Sequence, residues 1–277
     1  MPIRILLYFA VHQRIEILKV CLQGIKRLQR YDKKRFEIIP FAVCSTQEES
    51  NVLLHFEIPH IIHPNQPLGE KKNAGLRAAL TLEWDYLMEL GSDDLLKNEL
   101  LDLYYPKFVN GEMTWGLNAC YFYEVGTHKV GIHENHYPIG AGRCFKRDVF
   151  KLASARVKLK VKNAMGGVAR SYNGGGTYEM TRQMAEAFAK HGYGEIVEEK
   201  NPRLDFWTPT RLRALDGDSM NRLKYMGVEI ECIETKEPYV LDIKSETNIN
   251  PITTFPEIDY PILDHFKSEA DAIRRLG

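Results

Sequence analysis

Two adjacent acids stand where a strand should end. Ser92-Asp93-Asp94 follows Gly91 and the expected strand Trp84 to Leu90. Paired carboxylates suit a hard divalent cation, since Mg²⁺ or Mn²⁺ takes one or two carboxylates and completes its shell with phosphate oxygens and water. Asp93 and Asp94 are therefore the candidate ligands for Mn²⁺ or Mg²⁺, with Ser92 beside them. A plainer reading stays open for Asp94, as N-cap of a helix expected over residues 95–105. A second feature runs from Asn65 to Ala79. There Gly69 leads into a helix whose first turns carry Lys71, Lys72 and Asn73. A helix N-terminus with lysines gathers anions; a solvated basic helix face is the alternative.

Something must hold these residues together. Residues 3–10 are apolar on both faces and read as a buried strand. Ile15, Leu18, Leu22, Ile25 and Leu28 recur at helical spacing over 14–30. A second strand is expected over Phe36 to Val43, with Pro40 marking an edge position or bulge because it has no amide donor. Residues 46–55 predict a helix, Ile58 to Ile62 a strand, 69–82 a helix and Trp84 to Leu90 a fourth strand. Such alternation favours a mostly parallel α/β sheet with helices on both faces. Ligands bind such sheets beyond the carboxyl ends of the strands. The places to look are thus Ala10 to Arg14, Cys44 to Thr46, His63 to Asn73 and Gly91 to Asp94.

The second half is less regular. Met113 to Val125 predicts one strand. Residues 143–170 hold nine basic residues and one acid, Asp148. The alternation from Val157 to Lys162 predicts a strand with one solvated face, or a surface lying under an anionic ligand. Five glycines fall in residues 163–177, a backbone costly to order, and the segment 163–178 is expected to act as a lid. Helices are expected over 178–191, from Met180, Met184 and Phe188, and over 262–275. His133 and His136 read as surface or acceptor-side groups, and Trp207 as core or a sugar-stacking platform. A boundary near 210 would divide a main domain, 1–210, from a C-terminal extension packed on it, 211–277.

Composition removes several function classes. The 37 Lys+Arg balance 37 Asp+Glu, which argues against a dedicated nucleic-acid binder. No apolar run approaches the roughly 20 residues of a membrane span, and the short N-terminal run lacks a signal-peptide cleavage site. Five cysteines without a CxxC pair fit neither a disulfide framework nor structural zinc; reduced thiols in a cytoplasmic protein are expected. GxxxxGK[ST] and GxGxxG are absent, so P-loop ATPases and standard dinucleotide binders lose their usual support.

Four segments, in order, carry a resemblance. Gly69 to Ala79 resembles the "G-x-x-x-x-N-x-G-x-x-x-A" stretch of family 2 glycosyltransferases of the GT-A fold. Gly91-Ser92-Asp93-Asp94 falls where those enzymes have Asp-x-Asp-Asp. The opening Ile3 to Leu28 resembles their first strand and nucleotide-binding loop, and Gly140 to Phe150 resembles "G-x-x-x-x-F-x-R-x-x-F". The resemblance covers roughly residues 3–190. It implies a GT-A-type, Rossmann-like sheet and a metal-dependent transfer, with inversion, from a nucleotide diphosphate sugar, UDP-sugar favoured. The acceptor would be a hydroxyl on a glycan, a lipid-linked sugar, a small molecule or a modified nucleic acid. It gives Asp93 the metal-ligating position and Glu179 the role of proton acceptor. With the strand-end rule it points to Ala10, His12, Arg14, Ser45, Lys72, Asn73, Ser92 and Asp93 as donor contacts. Two departures stand out: Gly91 replaces the first carboxylate, and Cys44-Ser45-Thr46 replaces the acidic end of the second strand. An inactive sugar- or nucleotide-binding protein is the alternative these departures support. A sugar nucleotidyltransferase ranks lower, because Ala10 to Arg14 has no glycine-rich loop.

Overall fold

The computed structural model describes residues 1–154, 156–161, 177–192, 194–199, 206–207, 215–245 and 252–277. In chain order the first elements are β1 (Ile3–Ala10), α1 (Ile15–Leu28), β2 (Phe36–Cys44), α2 (Gln47–His55), β3 (His60–Ile62), α3 (Leu68–Ala79) and β4 (Tyr86–Gly91). Then come β5 (Asp94–Leu96), α4 (Glu99–Asn110), β6 (Thr114–Leu117), β7 (Ala119–Glu124), β8 (Val130–Glu134), β9 (Cys144–Lys146), α5 (Arg147–Ser154) and β10 (Arg156–Val161). The remainder are β11 (Thr177–Thr181), α6 (Arg182–Lys190), β12 (Gly194–Glu199), α7 (Leu215–Tyr225), β13 (Glu231–Ile233), β14 (Val240–Lys244), β15 (Glu257–Ile258) and α8 (Lys267–Arg274).

The fold is mixed α/β, as the alternation predicts. The central sheet runs β13-β6-β9-β4-β1-β2-β3. Its pairs are parallel except those of β9, which runs against both β4 and β6. Two apolar clusters cover its faces. Ile5, Leu7 and Phe9 pack on one side, and Leu6, Tyr8 and Val43 on the other. A strand buried on both faces reads as an unbroken apolar run, which is why β1 was legible. Pro40 pairs with Leu7, yet β3 reaches only Ala42 to Cys44, so Pro40 lies where β2 has no second neighbour and needs no donor.

A second sheet, β15-β8-β7-β14-β5, stands beside the first, and a small one, β11-β10-β12, carries the basic strand. Three expectations need correction. The segment 95–105 does not begin as a helix: Asp94 opens β5 and pairs with Asp242, so it is not an N-cap. Met113 to Val125 is two strands in different sheets. Asn118 sits at the crossing, where its side chain accepts from the Thr235 amide at 2.9 Å and its carbonyl accepts from Asn135 at 2.8 Å. The helix expected over 178–191 starts only at Arg182; Thr177–Thr181 pairs as a strand with β10, in keeping with its Thr and Tyr content. The C-terminal residues supply β13 to the central sheet and both β14 and β15 to the second. Among the described residues, no helix is long and apolar enough to cross a membrane.

Candidate active site

The carboxyl ends of β1, β2 and β4 are tied together before any ligand is considered. Thr46 caps α2 in a reciprocal box with Glu49. The buried Glu49 carboxylate also accepts from the Gln13 amide at 2.6 Å and the Ser45 amide at 2.6 Å. Lys71, fully buried, donates to the Val11 carbonyl, to Ser45 Oγ at 2.7 Å and to Asn65 Oδ1 at 3.0 Å. Burial pulls its ammonium down to about 8, partly offset by Glu49. His12 beside it is also lowered, first by desolvation and then by Lys71. Gln13 and Arg14 both hold left-handed backbone, at φ 59° and 53°. Non-glycine residues avoid that region unless their surroundings impose it. The twist aims Arg14 at Asp93, with Nη1 to Oδ2 at 2.5 Å.

The segment Gly69 to Ala79 has a structural explanation. A Cβ on Gly75 would come within 2.5 Å of the Tyr8 hydroxyl, which donates to the Lys72 carbonyl at 2.6 Å. Asn73 is fully buried; its amide donates to the Trp207 carbonyl at 2.7 Å and its oxygen accepts from the Trp207 amide at 3.0 Å. Asn73 thus locks α3 to Trp207 and lies away from the cleft. Trp207 is core, stacked on Tyr8 at 5.8 Å, with Lys72 Nζ over its ring at 4.3 Å. The segment Gly140 to Phe150 is structural too. Arg143 is fully buried on Glu89, and Arg147 donates to the Leu80, Leu82 and Trp84 carbonyls at the end of α3.

The acids gather as the sequence predicts, and with a third. One carboxylate oxygen from each of Asp93, Asp94 and Asp242 lies within 4.8 Å of the others. Asp242 comes from β14, opposite Asp94 on β5, and sequence reasoning missed it. Gly91 lies against the acids: a Cβ there would stand 2.7 Å from Asp94 Oδ2 and 2.8 Å from Asp93 Oδ1, so a side chain would require those carboxylates to turn. The Gly91 amide instead donates to Asp94 at 2.5 Å. Burial, then Asp242 and Asp93, raise the Asp94 carboxyl well above its usual range. Burial and then Asp93 push Asp242 up to about 7. Lys244, 2.7 Å from Asp242, is lowered by burial but raised more by the three acids. Asp242 Oδ1 is buried with no hydrogen-bond partner among the described residues. Clustered oxygens and an orphaned acceptor fit a hard cation.

A cleft of about 620 Å³ opens from these acids. The second sheet contributes Cys120, Phe122, His133 and Lys244; Tyr137 to Ala141 and the α7 residues Met220, Asn221 and Lys224 also line it. Of the residues expected to bind donor or metal, Lys72, Asp93 and Asp94 line the cleft and Arg14 touches it through Asp93. Ala10, His12 and Ser45 sit at the ends of β1 and β2, and Ser92 is buried beside Asp93. Glu179 lies on β11, with its side chain outside the described residues. Of the lid expected over 163–178, residues 163–176 lie outside them as well, and Thr177 and Tyr178 belong to β11.

A pH dependence follows. The folded chain keeps protons on Asp94 and Asp242 that an unfolded chain releases near pH 4, so without metal this cluster lowers stability as pH rises from about 4 to about 7. A bound cation needs both groups ionised. The rise in melting temperature on adding Mn²⁺ is expected to be larger at pH 8 than at pH 5; an equal rise at both would contradict this.

No protein-family model matches the chain, and no curated protein matches it in sequence. Solved structures similar to it include S. aureus TarS residues 1–349, at 12% identity and TM-score 0.40, covering 88% of this chain and 60% of that one. A structure titled S. aureus TarS matches at 11% identity and TM-score 0.43, covering 88% of this chain and 37% of that one. A 4-diphosphocytidyl-2C-methyl-D-erythritol synthase matches at 13% and 0.42, covering 97% of both chains. This chain thus spans 60% or less of the TarS chains, and similarity at these levels assigns neither a family nor an activity.

Proposed function

We propose that the chain transfers a sugar from a nucleoside diphosphate sugar to a hydroxyl acceptor, with a divalent cation held at Asp93, Asp94 and Asp242. The convergence of those three carboxylates on one cleft, one of them with an orphaned oxygen, carries the reading. When bound, Mn²⁺ or Mg²⁺ would neutralise charge on the leaving diphosphate. Arg14 and Lys244 flank the acids and add fixed positive charge on the same side. The ends of β1 and β2, with His12 and Ser45, would face the nucleoside, as ligands sit beyond strand ends in parallel sheets. UDP as the nucleotide, and inversion by a single displacement, rest on the resemblance of the four sequence segments.

Thermal shift with a panel of nucleotide sugars, with and without Mn²⁺, tests this. A true donor at about 100 times its Kd should stabilise the fold by roughly 2.7 kcal/mol. The shift should need the cation. Absence of any cation-dependent shift across UDP-, GDP-, CDP- and dTDP-sugars would overturn the proposal.

A further inference from the structure

We propose that His133 is the general base that takes the proton from the attacking hydroxyl; this rests on the transferase reading above. The second sheet makes one face of the cleft. Across it, Asp94 pairs with Asp242, Asp242 with Phe122, and Phe122 with Gly131. His133 lies two residues beyond Gly131, opposite Cys120. Side chains two apart share a face, so His133 faces the same cleft as the acids. Two strand spacings and two residues separate the Cα atoms of Asp242 and His133, or roughly 12 Å.

That separation suits a single displacement. The base must sit about 3 Å from the hydroxyl, and the hydroxyl oxygen about 3 Å from the anomeric carbon. The leaving diphosphate would depart from the far side of that carbon, toward Asp93, Asp94 and Asp242. A base on the same rigid sheet as the cation site, one sugar's breadth away, has the required placement. The imidazole is held against Phe255 at 5.4 Å, and Phe255 stacks on Phe122 at 4.1 Å. No hydrogen bond occupies either ring nitrogen among the described residues. The other described candidates in the cleft are committed elsewhere. Glu89 is held by Arg143 and Lys72, and the three aspartates cluster at the proposed cation site. Burial pushes the Cys120 thiol well up, so it holds its proton.

In the step, the acceptor O–H proton passes to an unprotonated ring nitrogen of His133. The oxygen forms the new bond to the anomeric carbon. The bond from that carbon to the diphosphate oxygen breaks, and the nucleoside diphosphate leaves with the electron pair. Water can replace the unidentified acceptor, so metal-dependent hydrolysis of UDP-glucose and UDP-N-acetylglucosamine is the assay. His133→Ala and His133→Gln should lose roughly 10²- to 10⁴-fold in turnover. Their Mn²⁺-dependent affinity for UDP should stay within about threefold of the parent chain, and added imidazole should restore turnover to His133→Ala. Near-parental turnover in either variant, or loss in both without imidazole rescue, would overturn the assignment. Failure of the parent chain to bind UDP with Mn²⁺ would instead strike the transferase reading itself.

Discussion

Asp242→Asn is expected to abolish the response of nucleotide-sugar binding to Mn²⁺ while raising the melting temperature of the metal-free chain. The two effects share one cause. Asp242 is the third carboxylate of a crowded, half-buried cluster, pushed up to about 7 first by burial and then by Asp93. Removing it relieves repulsion when no cation is present and removes a ligand when one is. Loss of an outer-shell partner alone typically costs 10- to 100-fold in metal affinity or activity, so loss of a direct ligand should cost at least about 100-fold. Asp93→Asn should show the same loss of metal response. Each variant also strips a cation of its carboxylate partner, Arg14 at 2.5 Å for Asp93 and Lys244 at 2.7 Å for Asp242, which offsets part of the relieved repulsion. Calorimetric titration of UDP with and without Mn²⁺ reads the binding, and a thermal melt reads the stability. Metal-dependent affinity unchanged in both variants would remove the acids from the cation site.

Glu89→Ala should be the most destabilising single change near the cleft. Its carboxylate receives Arg143 Nε at 2.9 Å and Lys72 Nζ at 2.7 Å, all deep beside β4. Breaking a buried ion pair by removing one partner costs about 3–5 kcal/mol, because a desolvated charge loses its counterion. At roughly 2–4 °C per kcal/mol for a domain of this size, the melting temperature should fall by roughly 10 °C. Glu89→Gln keeps the shape and an acceptor oxygen, so it should cost less. A fall under about 3 °C for the alanine variant would show that Arg143 and Lys72 are satisfied without the carboxylate.

Much of the scaffold was legible because β1, β2 and β4 are largely buried and read as mainly apolar runs, broken only by single residues such as Glu37 and Glu89. The strand-end rule put Asp93, Asp94 and Arg14 on one edge of the sheet, where Arg14 pairs with Asp93. The bonds of Asn73 to the Trp207 backbone could not be foreseen, because a buried asparagine pinning a backbone and a ligand-binding asparagine look alike in one dimension. The short strand Asp94–Leu96 was hidden by its length and by the helix that follows it. Asp242 could not be placed from spacing, since it lies far along the chain and only strand pairing brings it to Asp94. The available signal was an acid within the apolar run Val240-Leu241-Asp242-Ile243, where a strand buries a charge it would normally exclude.

The proposed cleft chemistry breaks the bond between a sugar and a nucleoside diphosphate with the help of a cation. Incubating the purified chain with the nucleotide-sugar panel, in Mn²⁺ and in EDTA, tests it most directly when products are resolved by mass. Nucleoside diphosphate and free sugar are expected in Mn²⁺, little or none in EDTA, and neither product from Asp93→Asn. Binding without turnover of any donor under any metal condition, or equal turnover in EDTA, would contradict it.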